Sequence, residues 1–156
     1  MCDCGFSNGK SRFRYRAGVI VIQDAKMLFV KNIVGGYYYM VGGAVQLGET
    51  SAKCAERELL EETGISAKAE QLCIVCENFF MDNEFECHTL EFYYKMNVTE
   101  IPQPQRSKTD IGEELIWIPL DKIHEYDIRP SFIKQHAAGL INIKHPLHII
   151  HDDRNR

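Results

Sequence analysis

The chain has 156 residues, 45% of them hydrophobic and 26% charged, with a formal net charge of −4. This is the make-up of one soluble globular domain long enough to bury its own core. The acidic balance disfavours a stable electrostatic complex with nucleic acid, although a metal-bridged polyphosphate remains compatible with it.

No apolar run approaches the roughly 18 residues of a membrane span, so no membrane association is expected. The opening MCDCGFSNGKSRFRYR lacks the apolar segment of a signal peptide, and a cytoplasmic location is the expectation. The six cysteines are then read as reduced thiols. Cys2, Cys4, Cys73 and Cys76 have spacings that a four-sulfur zinc site can use. However, Cys73 and Cys76 fall in a strand-like run where i and i+3 point to opposite faces, so they are read as small core residues.

In chain order, residues 1–11 read as a flexible polar start, residues 12–150 as the domain, and 151–156 as a polar, disordered tail. Arg14 to Ile22 predicts a strand, and Lys26 to Asn32 a second one after a tight turn. Gly35-Gly36 breaks the pattern, and Tyr37 to Val41 predicts a short third strand leading into Gly42-Gly43. A helix should begin near Thr50 or Ser51, either hydroxyl serving as its cap, and stop at Gly64.

Ala67 to Phe80 and Glu86 to Val98 predict a long hairpin turning at Asp82 to Glu84. Thr99 to Gly112 reads as a long surface loop, a length that often carries function. A strand is expected from Glu113 to Pro119 and a helical turn to Tyr126. A helix opened by Pro130-Ser131 should run to about Ala138 and be stopped by Gly139, with an edge strand within 140–150.

The stretch that organises the chain is Gly43 to Ile65, GAVQLGETSAKCAERELLEETGI. At ~100° per residue, Glu58, Glu61 and Glu62 share an arc of roughly 100° on one helical face. Ala52, Ala55 and Leu59 form the adjacent face. Three like charges on one face repel, and a cation bound among them would relieve the repulsion. Carboxylates suit Mg²⁺ better than His or Cys would, with Mn²⁺ as a substitute.

Gly43, Glu49, Arg57, Glu58, Leu59, Glu61, Glu62, Gly64 and Ile65 stand at the spacing of a known pattern. The stretch resembles the box of the Nudix (MutT-like) hydrolases, and every defined position matches. The resemblance implies an α/β/α sandwich with a mixed β-sheet. It also implies Mg²⁺-dependent hydrolysis of a pyrophosphate bond in a nucleoside diphosphate derivative, and a possible homodimer. Glu58, Glu61 and Glu62, with the Gly43 carbonyl, are the implied metal ligands. Glu58, Glu61 and Arg57 are the implied catalytic group. Glu49 and Arg57 resemble the pair that ties loop to helix.

Outside this stretch, Glu113 and Glu114 stand where relatives supply an extra ligand or base, the alternative being exposed loop carboxylates. Tyr37 and Tyr39 alternate and could stack on a base. Phe80, at a strand end, is open to packing or pocket. Arg14 and Arg16 share one strand face and could meet phosphate or ribose, or solvent. His145, His148 and His151 recur every three residues, but Pro146 makes a helical metal site there awkward.

Substrate identity is not carried by the box. Phe79 to Asn83 lacks the proline that resembles ADP-ribose-cleaving members, and neither the dinucleoside-polyphosphate tyrosine nor the NADH-type motif is seen. By elimination, (d)NTP cleavage to the monophosphate leads. The alternatives are ADP-ribose or nucleotide-sugar cleavage, or a non-catalytic nucleotide-sensing module.

Overall fold

The computed structural model describes residues 2–99 and 112–155. Its elements in chain order begin with β1 (Gly5–Asn8), β2 (Ser11–Ile20), β3 (Ile22–Gln23), β4 (Lys26–Asn32), β5 (Tyr38–Tyr39) and β6 (Gly42–Ala44). There follow α1 (Ser51–Thr63), β7 (Ala69–Asp82), β8 (Phe85–Met96) and β9 (Glu113–Pro119). A 3₁₀ segment (Leu120–Glu125), α2 (Ile133–His136), a second 3₁₀ segment (Ala137–Asn142) and β10 (Leu147–Asp152) complete the chain.

A mixed six-stranded sheet has the order β1-β2-β8-β7-β10, with β6 also paired to β2. β2 runs parallel to β8 and β10 parallel to β7, whereas β7 and β8 form an antiparallel hairpin. A second sheet joins β3, β4 and β5, with β9 on the other side of β4.

Both faces of the central strands are covered, which explains their nearly continuous apolar sequence. Ala17, Val19, Leu28 and Val30 pack with Cys54, Ala55 and Leu59 of α1. Their alternate neighbours Ile20, Met27 and Phe29 pack with Ile74, Tyr93 and the C-terminal helical segments through Ile133, Ala137 and Leu140. The period of two along each strand therefore feeds two cores, and the layers are α/β/α as expected.

α1 ends as its sequence predicts. Thr50 accepts a bond from the Lys53 N–H, and Gly64 takes a left-handed φ of 78°. Other expectations need correction. The start is not frayed, because β1 pairs with β2 and the Cys4 N–H bonds to the Val45 carbonyl. The third strand is two short pieces, β5 and β6, separated by Met40 and Val41, and Gly42 opens the second piece with a φ of 155°.

Gly139 does not stop the C-terminal helix but lies inside the second 3₁₀ segment. The final segment is not disordered from Asp152. β10 reaches that residue, and Arg154 pairs with Asp152 and Glu86. Cys73 and Cys76 are buried core residues, whereas Cys2 is exposed. Most of the long loop after Thr99 lies outside the described residues. Among the described residues, no helix is long and apolar enough to cross a membrane.

Candidate active site

β6 carries the site's glycines into register with β2, aligning Arg16 with Ala44, Ala17 with Gly43 and Gly18 with Gly42. α1 then lays its glutamates against this short strand. A Cβ on Gly43 would sit 2.2 Å from Glu58 Oε1, so the absent side chain is what leaves room for that carboxylate. The Gly42 N–H donates to Glu62 Oε1 at 3.4 Å.

Arg57 is the hub of this face. Its Nε and Nη2 donate to the two oxygens of Glu49 at 3.0 and 3.1 Å, and Nη2 also reaches the Ala44 carbonyl at 3.1 Å. Nη1 donates to Glu58 at 2.6 Å and to Glu61 at 3.1 Å. Glu49 in turn accepts the Gln46 N–H, which closes the turn before the helix. Its bonds to Arg57 hold the Glu49 carboxyl below its ordinary range.

Glu58 and Glu62 behave in the opposite way. Burial raises the Glu58 pKa even though Arg57 opposes the shift. Burial pushes Glu62 up to about 8, and the nearby Glu58 and Glu113 charges add to it. Glu62 Oε2 is buried and has no hydrogen-bond partner among the described residues. Glu61 is the outermost of the three, with 46% of its side chain exposed.

Among the described residues, no three His, Cys, Asp or Glu side chains stand close enough to enclose an ion as they are. Glu58 and Glu61 are drawn to Arg57, and Glu62 to the Gly42 N–H. The residues nonetheless suit a divalent cation. They offer hard oxygen donors, an orphaned buried carboxylate oxygen and a glycine cradle.

Glu113, at the start of β9, comes to this face. It accepts a short hydrogen bond from the Tyr39 hydroxyl. Burial, then Glu113, raises the Tyr39 pKa. Glu114 is aligned with Lys31 on the next position of β9, where the side chain points to the opposite face.

Beside the glutamates opens a cavity of about 700 Å³. Arg14, Arg16, Tyr37, Tyr39 and Phe80, scattered in sequence, all line it, and Gly42 forms part of its wall. Burial, with Arg16 next, lowers the pKa of Arg14, whose Nε is buried with no partner among the described residues. Arg129 lies over the Tyr37 ring at 4.3 Å and pairs with Asp127 at 2.8 Å.

The sequence reading missed Asn78, Thr89, Glu91 and Tyr93 on the cavity floor, and Arg129 and Asp153 at its walls. One signal was present: Thr89, Glu91 and Tyr93 alternate along a strand, which places a carboxylate on the inward face. The three histidines do not converge. His151 lines the cavity and meets Asp153 at 2.8 Å, whereas the exposed His148 pairs with Glu77.

Comparison with known proteins agrees with this architecture. A MutT-like protein of Streptomyces ambofaciens is 36% identical over 62 residues, a stretch that spans 40% of this chain and 40% of that protein. The fold matches the mutator MutT protein of Bacillus halodurans with a TM-score of 0.68 at 19% identity, covering 90% of this chain and 91% of that one. A Nudix hydrolase from Nitrosomonas europaea matches with a TM-score of 0.61 at 25% identity, covering 86% and 93% of the two chains. An ADP-ribose pyrophosphatase from Streptococcus suis matches with a TM-score of 0.59 at 14% identity, covering 88% and 98%. The model of the NUDIX domain matches residues 12–137, which contain the glutamate helix, its glycine turn and all but the last wall of the cavity. The chain belongs to the Nudix (MutT-like) hydrolase family.

Proposed function

We propose that this protein hydrolyses a pyrophosphate bond in a nucleoside diphosphate derivative, with nucleoside or deoxynucleoside triphosphates as the favoured class. The observation that carries this reading is the continuity of the two halves of the site. Gly42 donates to Glu62 on the carboxylate side and also forms the wall of the aromatic and arginine-lined cavity. A substrate with a base in the cavity would bring its phosphates to the glutamates.

Glu58, Glu61 and Glu62, with the Gly43 carbonyl, would hold a divalent cation, Mg²⁺ or Mn²⁺. When bound there, it supplies charge neutralisation at the pyrophosphate and a lowered pKa for attacking water. Arg57 orients Glu58 and Glu61 through Nη1 while its other nitrogens tie down Glu49. A carboxylate at this face takes the proton from the water that attacks phosphorus. Glu113 suits that task because it is held by Tyr39 beside Glu62 and is not drawn to Arg57. Arg14 and Arg16 bring positive charge to the phosphate or ribose, and Tyr37, Tyr39 and Phe80 offer ring faces for a base.

The test is a panel of NTPs, dNTPs, ADP-ribose, dinucleotides and nucleotide sugars with Mg²⁺ or Mn²⁺, with phosphate and pyrophosphate release measured separately. Metal-dependent release from at least one of these is expected, together with loss of that turnover in Glu61→Gln. Tight nucleotide binding without cleavage would replace the enzyme with a sensing module.

A further inference from the structure

The cavity floor is a polar row crossing four strands. Register aligns Arg14 of β2 with Thr89 of β8, Thr89 with Asn78 of β7, and Asn78 with His151 of β10. The next row aligns Arg16, Glu91 and Cys76. Aligned partners point to the same face of a sheet. Asn78, Thr89 and Glu91 line the cavity yet are only 5%, 0% and 7% exposed. Polar groups withdrawn so far from water need partners.

Glu91 determines how those partners are arranged. Its Oε1 accepts from Thr89 Oγ1 at 2.6 Å and from Asn78 Nδ2 at 3.3 Å, and its Oε2 accepts a short bond from the Tyr93 hydroxyl. Glu91 Oε1 accepts there, so the Asn78 amide turns its NH₂ toward it. The hydroxyl protons of Thr89 and Tyr93 are already directed to Glu91. Asn78 Oδ1 is left buried and, among the described residues, without a hydrogen-bond partner. Phe80, two residues along β7, shares this face and lines the same cavity.

We infer that Asn78 is the base-reading residue of the cavity: its Oδ1 accepts an N–H from the edge of a nucleobase, while Phe80 presents its ring to the base. Glu91 is a positioning residue that keeps the acceptor, and not the NH₂, turned to the ligand. This inference rests on the nucleotide reading of the site proposed above. A phosphate or carboxylate oxygen does not fit at Asn78 Oδ1, because it would set acceptor against acceptor. Anionic groups belong with Arg14 and Arg16 instead. A base that has lost its N–H leaves the buried oxygen unmatched, which makes discrimination steep.

The test is equilibrium binding of AMP, GMP, CMP and UMP to the full chain without added metal. Each is paired with a counterpart methylated on its base N–H groups, with ribose 5-phosphate as a base-free control. At least one mononucleotide should bind, and methylation should weaken it about tenfold or more. In Asn78→Leu the methylated and unmethylated forms should bind within about twofold of each other, with ribose 5-phosphate unchanged. Glu91→Gln, which allows the Asn78 amide to turn, should narrow the same gap. The wild-type comparison stands even if a variant fails to fold. No binding by any of the four, a methylation effect under about threefold, or full discrimination retained in Asn78→Leu each overturns the inference. Absence of hydrolysis across the substrate panel, with base discrimination intact, would instead remove the enzymatic reading and leave Asn78 as the reader of a bound nucleotide.

Discussion

Arg57 grips Glu49 with two parallel bonds, Nε to Oε1 at 3.0 Å and Nη2 to Oε2 at 3.1 Å. The pair joins the turn before α1 to the helix, and the same guanidinium holds Glu58 and Glu61 through Nη1. A lysine supplies a point charge and cannot reproduce this fork. Arg57→Lys is expected to lower kcat/KM by about 10- to 100-fold, as loss of a group that orients ligands does. Steady-state kinetics at saturating Mg²⁺ would check it, and a variant with wild-type kcat/KM would rule out the orienting role.

Gly43 meets Glu58 more closely than any side chain would allow. The Cβ of Gly43→Ala would fall 2.2 to 2.6 Å from the Glu58 carboxylate, the movable end of a flexible side chain. The fold can therefore absorb the substitution by swinging Glu58 away. The expected result is a melting temperature within a few degrees of wild type and activity down about tenfold or more. Loss of stability with activity per folded molecule intact would contradict this account.

Glu62 links the site to pH. Its folded-state pKa is raised from 4.5 to about 8, chiefly by burial. Between those values the folded protein holds a proton that the unfolded chain releases. Its contribution to stability is thus full below the unfolded value and is lost as pH rises through about 8. Without divalent cations, the melting temperature should fall between about pH 4.5 and pH 8, and Glu62→Gln should flatten that fall. Mg²⁺ favours the ionised form, so its stabilising effect should grow over the same range. Thermal melts with Mg²⁺ and with a chelator would show whether the two curves diverge with pH.

Glu113 and Glu114 are adjacent in sequence but not equivalent in space. Glu113 accepts from Tyr39 and is near enough to Glu62 to raise its pKa, whereas Glu114 faces the other side of β9. Glu113→Gln is expected to reduce kcat by about 10²-fold, the scale of a lost general base. Glu114→Gln should change it by less than about twofold. Equal losses in the two variants would show that the strand face does not decide the matter.

Local patterns made much of this legible. The caps of α1 could be read because Thr50 and Gly64 act through backbone groups within a few residues of themselves. β4 and β9 occupy the spans expected for them because each is a short apolar run bounded by turn residues. The start and end of the chain were misread because β1 is exposed along its whole length and carries no burial signal of its own, while β10 is held by β7, far back in the chain.

By itself, the sequence determined the glutamate helix, its spacing and the family that spacing denotes, because one helical turn sets which side chains are neighbours. Only the tertiary structure decided which distant residues join it. The parallel pairing of β2 with β8 and the hairpin of β8 with β7 set Arg14, Thr89 and Asn78 in one row, and Tyr39 donates a hydrogen bond to Glu113. The Tyr39–Glu113 contact spans 74 residues and the β2–β8 register joins Arg14 to Thr89, distances that no local periodicity encodes.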